Sequence, residues 1–115
     1  MAWPGSDEQV TVSLRCDEAG VAAAVAGYVT LAMAVRAGLP PLTAERARSD
    51  LAAALKQCSG PLEMAWASGD GQLYTRISAP SPTIDRLAVL LAGHGPVAAP
   101  SQLELRFERA GLRSV

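Results

Sequence analysis

The sequence predicts a single domain over residues 1–115, an α/β (α+β) fold built as a two-layer sandwich. Four segments alternate apolar and polar residues, which is the period of half-buried strands. Three others repeat apolar residues at helical spacing. Their order is β-α-α-β-β-α-β, and each strand has only one apolar face. We therefore expect a four-stranded mixed sheet with helices on one face, and frayed ends over residues 1–7 and 112–115.

The first half of the chain contains one strand and two helices. Residues 8–16 alternate and form the first strand. Asp17 is expected to cap a long helix that Gly38 ends, because an aspartate accepts hydrogen bonds from free helical N–H groups. Thr43 is expected to cap the second helix, which runs to Cys58. This second helix has a regular apolar stripe: Ala47, Leu51, Ala54, Leu55 and Cys58.

The second half begins with a hairpin and ends with a strand. Asp70-Gly71 is a typical two-residue turn between two alternating strands. Ser81 is expected to cap the third helix, with Pro82 at its first position. Residues 96–101 are interpreted as a loop, and residues 102–109 as the last strand. The inward residues predicted for these three strands are Leu62, Met64, Trp66, Leu73, Thr75, Ile77, Leu103, Leu105 and Phe107.

The long first helix has no charged residue between Glu18 and Arg36. A membrane-spanning helix needs about 20 predominantly apolar residues. The uncharged stretch 19–35 is shorter and rich in Ala and Gly, so we expect it to pack against protein and not to cross a membrane.

A helix that is apolar on all sides is expected to be buried on more than one side. One stripe is predicted to face the core: Val21, Val25, Tyr28, Ala32 and Val35. The remaining face is predicted to pack on a protein partner or a second copy: Ala22, Ala23, Ala26, Gly27, Val29, Thr30 and Met33. The alternative is that alanine is simply a good helix former. Trp3 either tucks under the fold or joins this interface.

Composition excludes several function classes. The net charge is −1 and aromatic residues make up 4% of the chain, which disfavours nucleic-acid binding. Cys16, Cys58 and the single His94 fit no metal-ligand spacing, so neither a metal nor a cofactor is predicted. The N-terminal sequence has no export-signal pattern, which favours a cytoplasmic location with reduced, partly buried cysteines over a disulfide.

Residues 49–66, "SDLAAALKQCSGPLEMAW", resemble the N-box helix and following strand of the GHKL (Bergerat-fold) ATPase domains. "DRLAVLLAGHG" and "LELRFER" resemble the closing segment of the same family. The element order is similar to that of the small bacterial anti-sigma regulatory kinases. The resemblance covers nearly the whole chain as a pattern of elements, and it implies a nucleotide-binding shell that serves transcription regulation.

The sequence departs from this family at the residues that handle ATP. Asp50 stands at the N-box acid, but Ala54 replaces the asparagine that binds magnesium. Ala79 stands where an aspartate reads adenine, and the glycine-rich phosphate loops and the lid are missing. The resemblance therefore implies a pseudo-ATPase that is not an enzyme. Asp50 is the one weak catalytic candidate, and the alternative is a solvated helix residue paired with Arg46.

Three functions follow from these patterns. The first is a non-catalytic regulatory module that binds a sigma factor or an antagonist-like regulator. The second is an active anti-sigma serine kinase that binds ATP. The third is a structural dimerisation or assembly module. The fold alone does not distinguish the first from the third.

Overall fold

The computed structural model describes residues 11–69, 71–92, 97–99 and 101–108. Trp3, His94 and the predicted frayed ends lie outside these residues. The strands are β1 (Thr11–Cys16), β2 (Leu62–Gly69), β3 (Gln72–Ser78), β4 (Val97–Ala99) and β5 (Gln102–Glu108). The helices are α1 (Ala19–Arg36), α2 (Pro41–Lys56) and α3 (Ser81–Leu90).

The described strands form one sheet in the order β1-β2-β3-β5-β4, and every neighbouring pair is antiparallel. The predicted two-layer sandwich is confirmed, but the predicted mixed sheet is wrong. Two helices join β1 to β2, so the chain reverses its direction three times between these strands: into α1, into α2 and into β2. An odd number of reversals leaves β2 antiparallel to β1. Between β3 and β5 the short strand β4, predicted as loop, adds the reversal that makes this pair antiparallel too.

The core lies between the sheet and the helices. The inward residues predicted for β2, β3 and β5 are all buried, as is the apolar stripe predicted for α2. α3 adds Ile84 and Leu87, both with no exposed surface. Alternation along the strands and helical spacing along α2 and α3 therefore identified the core correctly.

The start of α1 is fixed by a neighbouring turn and not by the predicted Asp17 cap. Glu18 is the N-cap residue, and its side chain makes no capping bond. Its carboxylate instead accepts a hydrogen bond from the Gly60 N–H at 3.0 Å. In return the Ala19 N–H donates to the Gly60 carbonyl oxygen at 2.8 Å. These two bonds tie the first turn of α1 to the chain just before β2.

Prolines, and not hydroxyl caps, define the starts of α2 and α3. The N-cap residues are Pro40 and Pro80, with φ values of −59° and −56°, and neither helix has a side-chain capping bond. The predicted caps Thr43 and Ser81 are therefore wrong. Proline is pre-organised for a helix start because its φ is locked and it has no N–H to satisfy.

α1 and α2 approach closely at Gly27. A Cβ atom at this position would lie 3.3 Å from the Ala52 Cβ and 3.4 Å from the Arg48 Cγ. A larger side chain would force the two helices apart, because the packing distance between helices depends on the side chains at the contact. The part of α1 that crosses α2 at Gly27 is therefore restricted to small residues.

The two faces of α1 are consequently the reverse of those predicted. The stripe expected at the core is exposed: Val21 at 73%, Val25 at 52%, Tyr28 at 72% and Val35 at 60%, with Ala32. Most of the face expected at an interface is instead buried inside this chain: Ala22, Ala23, Ala26, Gly27, Thr30 and Met33. Val29 is half-buried.

Length and composition alone would allow α1 to cross a membrane, with a mean hydropathy of 1.5 over 18 residues. Within the fold, 44% of this stretch is buried against the sheet and α2. Thr30 on its inner face accepts a hydrogen bond from the Trp66 indole N–H of β2 at 3.0 Å. This buried polar contact makes α1 an integral part of the sandwich.

Candidate functional site: the outer stripe of α1

Four large apolar side chains form a stripe along α1, here called the outer stripe: Val21, Val25, Tyr28 and Val35. Their spacing of four, three and seven residues places them on one side of an α-helix. Ala24 and Ala32 are exposed among them. The outer stripe is therefore a continuous uncharged surface that folding leaves in water.

The outer stripe is larger than a scatter of single surface residues. At 1.5 Å per residue, it extends roughly 20 Å along the helix axis. From the exposed fractions, its four side chains present on the order of 400 Å², the size of the largest apolar patches on monomeric proteins, which are often functional. Isolated exposed apolar residues need no explanation, but a contiguous patch indicates a contact surface.

One flank of α1 points toward the β1 edge of the sheet. Gly27 faces α2, and Val25 and Val29 are each two positions from it, about 160° away around the helix. α1 packs over β1, β2 and β3, whereas α2 packs toward β5. Val25 and Val29 thus face the side of the molecule on which β1 is the last strand.

The surface of α2 beside the stripe is charged. Glu45 and Arg48 form an ion pair, and Asp50 and Lys56 are exposed on the same helix. Other large apolar side chains are exposed on the helical layer, at Leu42 of α2 and at Val89 and Leu90 of α3, but they do not form a stripe along a helix.

The structure does not assemble the ATP-handling positions that the resemblance implied. Asp50 is exposed, and Ala54 is buried in the core with 3% exposure. Ala79 is also buried, and its N–H donates to the Ser101 carbonyl oxygen at 3.1 Å. A side chain larger than that of Ala54 would point into packed protein.

Two clefts lie on the sheet side of the molecule. The first, of about 590 Å³, runs across the helix-free face of the sheet, and the second, of about 710 Å³, lies where the strands end near Cys16 and Ala79. Asp50 lines neither of them. The three positions that correspond to nucleotide-handling residues in the family that the sequence resembles, Asp50, Ala54 and Ala79, are thus divided between a solvated helix surface, the core and the second cleft.

Arg15, Glu63 and Arg76 line the first cleft, and they belong to two ion pairs that sequence reasoning missed. The Arg15 Nη2 lies 2.8 Å from the Glu63 Oε2, and the Arg76 Nη2 lies 3.1 Å from the Glu104 Oε2. Each guanidinium is neutralised by a carboxylate on the adjacent strand, so the cleft offers no surplus of positive charge for a phosphate. Alternation places these residues on the polar face, but only the strand register pairs them.

Both cysteines are free thiols: Cys16 is half-buried and Cys58 is buried. Burial raises the pKa of the Cys58 thiol, and the Arg86 charge opposes this rise only in part. Among the described residues no cluster of three or more His, Cys, Asp or Glu side chains could hold a metal ion.

Comparisons with protein-family models, curated proteins and solved structures gave no match.

Proposed function

We propose that the protein is a non-catalytic, cytoplasmic regulatory module that binds a protein partner through the outer stripe of α1. The observation that supports this function is the exposure of Val21, Val25, Tyr28 and Val35 on a helix whose other faces are packed. None of these four side chains is needed to fill the core, yet all four are large and apolar.

A partner that covers the stripe would gain substantial free energy. Burying a Val-sized side chain contributes about 1.5–3 kcal/mol. Tyr28 lies at the middle of the stripe, and tyrosine is enriched among the residues that dominate binding at interfaces. We therefore assign Tyr28 as the anchor, with Val21 and Val25 on one side of it and Val35 on the other.

Regulation without catalysis is supported by the positions that would handle ATP. Ala54 is packed in the core, and Asp50 lies outside both clefts. The resemblance to the anti-sigma kinases then implies a protein partner such as a sigma factor or an antagonist-like regulator, held by contact alone.

Site-specific photo-crosslinking in cells tests the docking surface. A photoreactive phenylalanine analogue at position 28 should trap a protein, and the matched probe at Lys56, which is exposed on α2, should not. Replacing Val25 with Glu should abolish the cross-link at position 28. Equal trapping at both positions, or none at position 28, would reject the outer stripe as the binding surface.

Calorimetric titration with ATP and Mg²⁺ tests the absence of catalysis. The titration should show no saturable heat. A saturable signal that Asp50→Asn removes would reject this part of the proposal and favour the active kinase.

A further inference from the structure

We infer that the flank of α1 on the β1 side, which carries Val25 and Val29, binds a second copy of this chain, and that the two copies are aligned by antiparallel pairing of their β1 strands across a two-fold axis. This inference goes beyond the proposed function, because Thr30 faces the sheet and Tyr28, two positions away, points about 160° from it, so Tyr28 stays open to another protein. The product is one continuous sheet through both copies, with the two α1 helices side by side above the junction.

β1 has the properties of an edge that accepts another strand. It pairs with β2 through all six of its residues, and no described strand lies on its other side. Its sequence, TVSLRC, contains no proline and no glycine, and four of its six residues lie before the single charge at Arg15. An unprotected row of backbone N–H and C=O groups is a template for pairing with a further strand.

The side chains of β1 are compatible with self-pairing. In a register centred on Ser13, Thr11 lies opposite Arg15 of the second copy, and Val12 lies opposite Leu14. The two side chains of each pair then lie on the same face of the sheet. Val12 and Leu14 meet on the face that the helices cover, and Thr11 and Arg15 meet on the face without helices. No like charges meet, whereas a parallel alignment in register would place the two Arg15 side chains next to each other.

The same two-fold axis makes the two α1 helices antiparallel, and their charges suit this arrangement. The helix is uncharged from Ala19 to Val35, preceded by Asp17 and Glu18 and ended by Arg36. The acidic end of one copy would therefore lie toward the basic end of the other. The flank that carries Val25 and Val29 faces the β1 side, which brings these residues toward the junction.

The small size of this flank explains why both elements are needed. Val25 and Val29 are only a part of the surface of α1, whereas stable interfaces bury at least ~1,200 Å² in total. Val12 and Leu14 are half-buried at the open edge, and their coverage together with the backbone of β1 supplies the remaining area. A contact that uses only the helix would be too small for a stable dimer.

Placing a negative or a positive charge at Ser13, the residue on the two-fold axis, tests the pairing of the β1 strands. The molar mass is measured by sedimentation equilibrium. Wild type should be a dimer at micromolar concentration. Ser13 is exposed, so Ser13→Glu and Ser13→Lys should leave the fold unchanged by circular dichroism. Each variant alone should dimerise about tenfold more weakly or worse, because two like charges meet at the axis. An equimolar mixture should recover the dimer as a heterodimer.

The helix contact is tested by Val25→Glu, which should give monomers, with Lys56→Glu on α2 as the control that stays dimeric. If both Ser13 variants dimerise like wild type while Val25→Glu does not, strand pairing is overturned. If Ser13→Glu strengthens the dimer, the Ser13-centred register is overturned, because that result places residue 13 opposite Arg15. A monomeric wild type overturns the second copy as occupant, and cross-linking from position 28 to a different protein would still uphold the proposed function.

Discussion

Two fully buried threonines provide a matched test of the core, because one hydroxyl is hydrogen-bonded and the other is not. The Thr30 Oγ1 accepts from the Trp66 Nε1 at 3.0 Å and donates to the Ala26 carbonyl oxygen at 2.7 Å. The Thr75 Oγ1 is buried and has no hydrogen-bond partner among the described residues. Both residues have 0% exposure. Threonine and valine have nearly the same shape, so replacing threonine with valine should lower the stability at position 30 and should not lower it at position 75.

Thr30→Val should lower the free energy of unfolding by about 1–3 kcal/mol, because it leaves the Trp66 indole N–H buried without an acceptor. Threonine and valine have similar helix propensities, so the backbone contributes little to this difference. Thr75→Val should leave the stability unchanged or raise it by up to about 1 kcal/mol, since it removes an unsatisfied buried hydroxyl and valine suits a strand.

Urea unfolding followed by far-ultraviolet circular dichroism measures both changes. The Trp66→Phe background is the control, because Thr30→Val should cost less there once the indole donor is gone. The reasoning is refuted if the two valine variants lose the same stability, or if Trp66→Phe does not reduce the cost of Thr30→Val.

The remaining predictions concern packing, charge and pH. Gly27→Leu should lower the free energy of unfolding by about 1–3 kcal/mol, because the larger side chain overpacks against Ala52. Gly27→Ala should stay within about 1 kcal/mol of wild type, because the higher helix propensity of alanine offsets the 3.3 Å contact. Equal thermal stability of the two variants would contradict this prediction. Arg76→Met should lower the free energy of unfolding by about 1–3 kcal/mol, because it removes the ion-pair partner of the Glu104 side chain, which is only 7% exposed. Combining Arg76→Met with Glu104→Leu should recover most of this loss. A double variant as unstable as Arg76→Met argues against a contribution from the ion pair. The raised pKa of Cys58 means that the folded state binds the thiol proton more tightly, so this stabilising contribution is complete below the ordinary thiol pKa of 9.0 and is lost as the pH rises above it, by at most about 1.4 kcal/mol per pH unit. Unfolding of Cys58→Ala at several pH values should show less alkaline loss than wild type, and identical profiles would refute the assignment.

The sequence was informative where a pattern was long and one-sided. The hairpin of β2 and β3 is an example, because β2 alternates from Leu62 to Trp66, β3 alternates over all seven residues, and Gly71 adopts the left-handed φ of +70° expected at its turn. β4 is the opposite case. Its three residues are too few to show a period, so the segment was interpreted as a loop and the sheet was predicted with four strands, whereas the described residues form five.

From the sequence, the wrong face of α1 was predicted to be buried in the core. A helix with apolar residues all round has no polar side to mark the solvent, so periodicity cannot orient it. The orientation depends on how closely α2 approaches at Gly27 and on the Trp66 indole that reaches Thr30. Both are contacts between residues far apart in sequence, and propensity or spacing within α1 gives no signal for them.

α1 is inverted relative to an ordinary surface helix, since its small residues face inward and its large apolar residues face water. Close packing against the sheet and α2 accounts for the small inner residues. It does not account for Val21, Val25, Tyr28 and Val35, because polar residues at exposed helical positions fold equally well. Substitutions at such positions usually change stability by no more than about 0.5 kcal/mol. If Tyr28→Gln and Val25→Gln leave the unfolding free energy within that range while lowering association, the apolar character of the outer stripe is required for binding and not for folding. A loss of several kcal/mol in the isolated monomer would instead show that the stripe supports the fold, and the argument for a docking surface would fail.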